Sequence, residues 1–291
     1  MKNMKKFAAL GLAAMMAMSF TGCGSSDKET TAATTAATTA ADTKADAETT
    51  TAASKAEESK TEATEATEAA GGVLKMATNA EFDPWEYHEG GEIVGIDIEM
   101  AQAIADKMGM ELQIEDMAFD AIIPSITTGK ADIGMAAITE NEERKLSVDF
   151  SDNYAESSLV ILVQGAKEEI TSADTLTGKK IGVQLGTTGD LTATEIVGEE
   201  GMERYTTYFE AVQALKQGKI DAIVIDKAPA KVFLSQNDDI KQVGEELSKE
   251  EYAIAVAKGN TELTEKLNKA IAELQEDGTF DTIMNKYIPA E

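Results

Sequence analysis

The sequence has 291 residues with 53 acidic and 26 basic side chains, a formal net charge of −27, and a single Cys, His and Trp. A chain this acidic repels phosphate backbones, which argues against nucleic-acid binding across a broad face. One Cys closes no internal disulfide and one His builds no His-rich zinc site, so the expectation is a protein with no metal and no cofactor.

Charge divides the chain into three blocks. Residues 1–23 carry +3, residues 24–72 carry −6 and residues 73–291 carry −24. The first block opens on Met1-Lys2-Asn3-Met4-Lys5-Lys6, runs apolar from Phe7 to Met18, and reaches Phe20-Thr21-Gly22-Cys23. A basic head, an apolar stretch too short for a permanent membrane span, and small residues before a cleavage point describe a secretory signal over 1–22. Cys23 ends that signal and resembles the lipidated Cys of the lipobox in bacterial lipoproteins. The resemblance implies an acylated (palmitate-bearing) residue that anchors the protein on the extracellular face of the cell membrane. Phe20 stands where Leu is usual.

Residues 24–72 contain no Leu, Ile, Val, Met, Phe, Trp or Tyr, and repeat Thr-Thr-Ala-Ala three times between Thr30 and Ala41. With no large apolar group to bury, this segment cannot offset its conformational entropy and is predicted to be a disordered tether. As a flexible coil it would reach on the order of 40 Å.

From Val73 the pattern becomes α/β. Val73-Leu74-Lys75-Met76-Ala77 reads as a strand, and His88, in the polar stretch from Glu86 to Gly91, as an exposed turn residue. Asp97 is predicted to cap a helix whose apolar positions Ile98, Ala101, Ile104, Ala105 and Met108 recur at helical spacing, with Gly109 ending it. Glu111 to Glu115 alternates as a half-buried strand. A helix through Ile122, Ile123 and Ile126, a strand from Asp132 to Met135 and a short helix capped by Asn141 follow. A weak repeat then relates Phe119-Asp120-Ala121, a helix and Gly129-Lys130-Ala131-Asp132-Ile133 to Phe209-Glu210-Ala211, a helix and Gly218-Lys219-Ile220-Asp221-Ala222. This suggests two α/β lobes of like construction.

Several segments, in order, resemble the family 3 extracellular solute-binding proteins of polar amino-acid ABC transporters. They are Ala77 to Tyr87, Gly95 to Ala101, Phe150 to Tyr154, Gly186-Thr187-Thr188-Gly189, Ala222 to Asp226 and Asp277 to Phe280. The resemblance implies a two-lobe, periplasmic-binding-protein-like (type II) α/β fold with two hinge crossovers and the ligand in the cleft between lobes. The crossings would fall near Tyr154 to Ser158 and Ser248 to Tyr252, giving a discontinuous lobe 1 (73–155 plus 252–291) and a lobe 2 of 156–251. The partners implied are a small amino acid and the membrane permease subunits, with the protein itself a monomer and not an enzyme.

The family match places the ligand α-carboxylate on Arg144, which could pair bidentately; an i,i+4 pair with Glu140 on a solvated helix is the plainer alternative. Thr187 and Thr188, at a strand-to-helix turn, would offer N–H groups and hydroxyl donors to the same carboxylate from lobe 2. Asp226, at the carboxyl end of an apolar strand, is placed for a ligand ammonium or for capping the next helix. Thr139 and the carbonyl of Ala136 or Ala137 would share that ammonium, with Ala137 where Gly is usual and Asn141 where Thr is usual. Phe82, Phe119 and Trp85 are wall candidates, Trp85 reading better as core. Asn79 and Gln184 replace a frequent Asp and Lys, which favours a neutral polar ligand, while Glu81 could still recruit a basic one. The competing readings are a dehydratase- or lyase-type enzyme on this scaffold and a lipoprotein that presents ligand to a separate sensor; no transmembrane or signalling segment follows in the sequence.

Overall fold

The computed structural model describes residues 72–288. The signal, Cys23 and all but the last residue of the tether lie outside the described residues, as do 289–291. In chain order the strands are β1 (Val73–Thr78), β2 (Glu81–Phe82), β3 (Glu86–Glu89), β4 (Glu92–Val94), β5 (Glu111–Asp116), β6 (Ile133–Gly134), β7 (Val148–Phe150), β8 (Ala155–Gln164), β9 (Ile181–Gln184), β10 (Met202–Tyr205), β11 (Ala222–Asp226), β12 (Ile240–Val243), β13 (Lys249–Tyr252) and β14 (Ala255–Ala257). The helices are α1 (Ile96–Met108), α2 (Phe119–Thr127), α3 (Glu142–Lys145), α4 (Thr188–Val197), α5 (Tyr208–Lys216), α6 (Lys227–Gln236), α7 (Thr261–Glu276) and α8 (Thr279–Tyr287). Among the described residues no helix is long and apolar enough to cross a membrane.

Two sheets define two lobes. Lobe 1 has the order β5-β1-β6-β14-β7, with β1 parallel to β5 and β6, and β14 antiparallel to β6 and β7. Lobe 2 has the order β10-β9-β11-β8-β12, with β9 parallel to β10 and β11. The ten-residue β8 belongs to both regions: Leu159 to Gln164 pair within lobe 2, while Ala155 to Ser158 pair antiparallel with β13. The chain therefore passes between lobes on two hydrogen-bonded strands, leaving from Phe150 in β7 and returning to Ala255 in β14.

Periodicity explains the layers. In α1 the buried positions Ile96, Met100, Ala101, Ile104 and Ala105 form one stripe, and Gly109 closes the helix in the left-handed conformation (φ 66°). The helix begins two residues earlier than expected. Gly95 is its N-cap, and Asp97 lies inside the first turn with no capping bond. At Gly95 (φ 129°) an added Cβ would stand 2.2 Å from the Trp85 carbonyl oxygen, so only glycine lets α1 dock there. His88 lies in β3, exposed, with Nε2 3.0 Å from Asp116 Oδ2, and so is a strand residue and not a turn residue.

The apolar core runs through the hinge. One continuous cluster joins Met76, Ile96 and Ile104 of lobe 1, through Trp85, Tyr154 and Tyr252, to Tyr208, Val212 and Leu215 of lobe 2. Trp85 is 1% exposed and packs edge-on against Tyr252, with ring centroids 4.9 Å apart. Each lobe also has a private cluster on its other sheet face, around Ile122 and Ile138 in lobe 1 and around Ile161 and Val224 in lobe 2.

Candidate functional site

A small cavity lies between the lobes, lined by Asn79, Phe82, Glu86, Phe119, Ala136, Ala137, Thr139, Arg144, Gln184, Thr187, Thr188 and Asp226. The eleven residues singled out from the sequence are all here, joined by Glu86. Trp85 belongs to the core, and Glu81 is exposed on β2 and borders no part of the cavity. A larger neighbouring groove shares Phe119 and Arg144 and is lined by both apolar residues, Ile122, Ile123, Ile138 and Leu191, and polar ones, Asp120, Asn141, Glu143 and Ser147. The smaller cavity is the one that brings Arg144 and Asp226 together, and a few convergent polar groups are what fixes a ligand's orientation.

Arg144 rises from the short helix α3, whose N-cap Asn141 accepts the Arg144 N–H at 2.8 Å. Its guanidinium is buried, donates from Nη1 to the Thr139 carbonyl at 2.6 Å and from Nη2 to the Gly186 carbonyl at 3.0 Å, and stacks over Phe119 at 5.4 Å. Among the described residues no carboxylate forms an ion pair with it. Glu140 pairs instead with Lys145, so the solvated i,i+4 alternative does not hold. Burial lowers Arg144 to about 10, with the charges of Glu250, Asp226 and Glu143 resisting the shift. It stays protonated at neutral pH and keeps three of its five N–H donors for another partner.

Lobe 2 faces Arg144 with the start of α4. The Thr187 hydroxyl donates to the Gln184 carbonyl at 2.9 Å and accepts the Asp190 N–H at 3.2 Å, so this side chain caps the helix and has no donor left. The N–H groups of Thr188 and Gly189 make no hydrogen bond among the described residues. They and the Thr188 hydroxyl are the donors lobe 2 can turn toward an anion.

Asp226 ends β11 at the N-cap position of α6 but makes no side-chain capping bond. Its carboxylate accepts hydrogen bonds from the hydroxyls of Tyr252 and Ser157, both on the crossing strands. Burial raises it to about 7, against those hydroxyls and the Arg144 charge, which pull it down. Ala137, where the segment after β6 turns, holds φ at 46°, the left-handed region that favours glycine, and its N–H donates to Asp97 Oδ2 at 2.7 Å.

Two site residues spend themselves on each other. Asn79 Nδ2 donates to the Met117 carbonyl at 2.9 Å, and its Oδ1 accepts from Gln184 Nε2 at 2.8 Å. Gln184 Nε2 also donates to the Thr206 carbonyl at 2.8 Å. The main-chain carbonyls only accept, so both amide orientations are forced. With the Arg144 to Gly186 bond and the Phe82 and Tyr208 rings 5.8 Å apart, this pair holds the lobes together across the cleft.

Sequence reasoning missed Glu86 and misassigned Asp97. Glu86 is 1% exposed and hydrogen-bonds the Asp97 carboxyl; burial first, then the charge of Asp97, drives its pKa well up. Asp97, raised to about 7 by burial, accepts from Glu86, the Tyr154 hydroxyl and Ala137 N–H. The available signal was the Gly95-Ile96-Asp97 segment: Gly95 brings α1 so close that Asp97 N–H donates to the Trp85 carbonyl at 2.9 Å, setting the two acids side by side.

Comparison with known proteins fits this geometry. The profile of the bacterial extracellular solute-binding proteins, family 3, matches residues 74–290. The arginine-binding extracellular protein ArtP of Bacillus subtilis (strain 168) is 35% identical over 222 residues, covering 75% of this chain and 87% of that one. The L-cystine-binding protein TcyJ of Escherichia coli (strain K12) is 32% identical over 223 residues, covering 76% and 84%. Among solved structures, an ancestral arginine-binding protein bound to glutamine superimposes with TM-score 0.72 at 42% identity, covering 75% of this chain and 98% of that one. The arginine-, lysine-, histidine-binding protein ArtJ of Geobacillus stearothermophilus superimposes with TM-score 0.72 at 30% identity, covering 75% and 96%. The two-lobe α/β architecture is thus the type II binding-protein fold of amino-acid-binding proteins, and the chain belongs to family 3 of the bacterial extracellular solute-binding proteins.

Proposed function

We propose that this protein is the extracellular substrate-binding component of an ABC importer for a polar amino acid, working as a monomer that hands its ligand to membrane permease subunits. The observation that carries the reading is the placement of opposite charges on opposite lobes around one small cavity. Arg144, with three unspent donors, and the free N–H groups of Thr188 and Gly189 take the α-carboxylate. Asp226, with Thr139 and the main-chain carbonyl of Ala136 or Ala137, takes the α-ammonium. Phe82 and Phe119 are the apolar walls. A zwitterion completes these contacts only when lobe 1 (73–155 plus 252–291) and lobe 2 (156–251) close on it, and that differential affinity shifts the open-closed equilibrium.

Thermal unfolding of the purified protein against the twenty amino acids, cystine and ornithine tests this. A ligand at a hundred times its dissociation constant adds about 2.7 kcal/mol of stability. Silence from the whole panel would remove the reading. A second reading, an enzyme of dehydratase or lyase type, draws on the buried Glu86 and Asp97 pair, a proton-holding dyad beside the cavity. Turnover of a bound amino acid by the pure protein would establish it, and recovery of the ligand unchanged would dismiss it. Cys23 is proposed as the lipid anchor that keeps the protein at the outer membrane face, whether it serves a permease or a sensor. Cys23→Ser should then release the protein into the medium.

A further inference from the structure

Resting on the amino-acid reading above, we propose that Gly186 sets the distance to which the two lobes close, by seating lobe 2 directly on Asp120 of lobe 1, and so governs how long a bound amino acid is held. At other left-handed glycines, such as Gly109, Gly129 and Gly218, an added Cβ would meet nothing within 4 Å, so glycine there serves its own turn. Gly186 (φ 79°) is different. A Cβ on it would stand 3.3 Å from Asp120 Cβ and 3.7 Å from Asp120 Cα. Among the described residues it is the one glycine whose Cβ would touch the opposite lobe. Non-bonded carbons settle about 3.5–4.0 Å apart, so a side chain at 186 would hold the lobes slightly open.

Both sides of this contact are braced. Asp120 lies in the first turn of α2. The Gly186 N–H donates to Asp190 Oδ2 at 3.1 Å, and Arg204 Nε holds both Asp190 oxygens, at 2.8 and 2.9 Å. The Gly186 turn is therefore fixed to lobe 2 from behind, and relief of a clash has to come from the lobes themselves. The Gly186 carbonyl also accepts from Arg144 Nη2 at 3.0 Å. Arg144, on lobe 1, thus serves both the α-carboxylate and the opposite lobe, and the second bond exists only after closure. A wider stop lengthens that bond and the reach of the Thr188 and Gly189 N–H groups to the carboxylate, while first capture on Arg144 does not involve Gly186. Release is the step that a side chain at 186 changes.

The test measures association and dissociation rates on the full chain by stopped flow, with the probe being the amino acid that binds the wild type most tightly in the thermal panel. The reporter is the fluorescence of Trp85, which packs against Tyr154 and Tyr252 of the crossing strands. Gly186→Ala should speed dissociation roughly five- to tenfold, the low end of what overpacking costs, and leave association unchanged. The backbone strain of alanine at this φ is present in the open and closed protein alike, so it lowers the melting temperature and cancels from the binding equilibrium. Gly186→Asn brings the same Cβ on a residue that tolerates left-handed backbone; it should speed dissociation similarly and carries the test if the alanine variant folds poorly. Asp120→Gly removes the opposing Cβ, so its combination with Gly186→Ala should return dissociation to within about twofold of Asp120→Gly alone. Unchanged dissociation in both Gly186 variants, or acceleration that persists undiminished in the double variant, would overturn the inference and leave the amino-acid site standing. Silence of the wild type toward the whole panel would remove both.

Discussion

In lobe 1 the Asp132 carboxylate accepts the main-chain N–H of Lys75 at 2.9 Å, and in lobe 2 Asp221 does the same for Lys180 at 3.0 Å. In each case the Asp N–H returns a bond to the same Lys carbonyl, at 2.9 Å and 2.7 Å. Each Asp follows a helix that stops near a left-handed Gly, Gly129 or Gly218, and each enters a strand parallel to its partner. Counting from those anchors, Asn79 corresponds to Gln184, and these two meet across the cleft. Ala137 corresponds to Asp226. One frame thus ends in a left-handed main-chain turn, the other in a buried carboxylate. The lesson is that a shared scaffold fixes where the strand ends lie, while the residue at each end decides the chemistry. Phe119 and Phe209 make the same point: one stacks on Arg144 in the cavity, the other is 60% exposed.

The division of charge between lobes can be broken most severely at Arg144. Arg144→Ala should weaken amino-acid binding ten- to over a hundredfold, since hydrogen bonds to a charged group contribute about 1.5–3 kcal/mol. Calorimetry checks this, and unchanged affinity would refute the carboxylate assignment. On the opposite lobe Asp226→Asn should cost roughly tenfold by the same reasoning.

Asp226→Asn should also alter the pH response. Burial raises Asp97 and Asp226 from 3.8 to about 7, so between those values the folded protein holds protons that the unfolded chain has released. Their contribution is full below the unfolded pKa and is lost as pH climbs toward 7. Glu86 acts in the same sense. Carboxyls held low by lysine partners, such as Asp149, Glu169 and Asp277, lose their contribution only at lower pH, as it falls through their depressed pKa values. The ligand-free protein should therefore melt higher at pH 6 than at pH 8, and Asp226→Asn should flatten that difference. Ligand affinity should run the other way, rising with pH as Asp226 ionises.

Smaller effects would sharpen the comparison. Gln184→Ala removes one cross-cleft hydrogen bond, worth about 1 kcal/mol, so affinity should drop several-fold and small-angle scattering should show a more open ligand-free protein. Ala137→Gly relieves a left-handed alanine and should stabilise the fold by roughly 0.5–1 kcal/mol by thermal unfolding, the strain relief exceeding the entropy Gly adds to the unfolded chain.

Much of this organisation was legible before any coordinates. The α1 stripe and the Gly109 stop follow from helical periodicity and from glycine's tolerance of positive φ, both local properties. The resemblance carried the eleven cavity residues, because segments in a fixed order imply a fixed arrangement in space. Glu86 was not legible. It follows the fully buried Trp85 on a ribbon too short to show alternation, and its environment comes from Asp97 and Asp226, distant in sequence.

The sequence by itself determined the alternation of strands and helices, the repeat that anchors both lobes, and the position of a cation and an anion at strand and helix ends. These are set by spacing, capping chemistry and residue type within a few residues of each other. Only the tertiary structure decided which of those groups remain available: that Thr187 has no donor left, that Asn79 and Gln184 satisfy each other, and that Glu86 is buried against Asp97. Hydrogen-bonding capacity is finite, and how each group spends it depends on partners that only folding brings within reach.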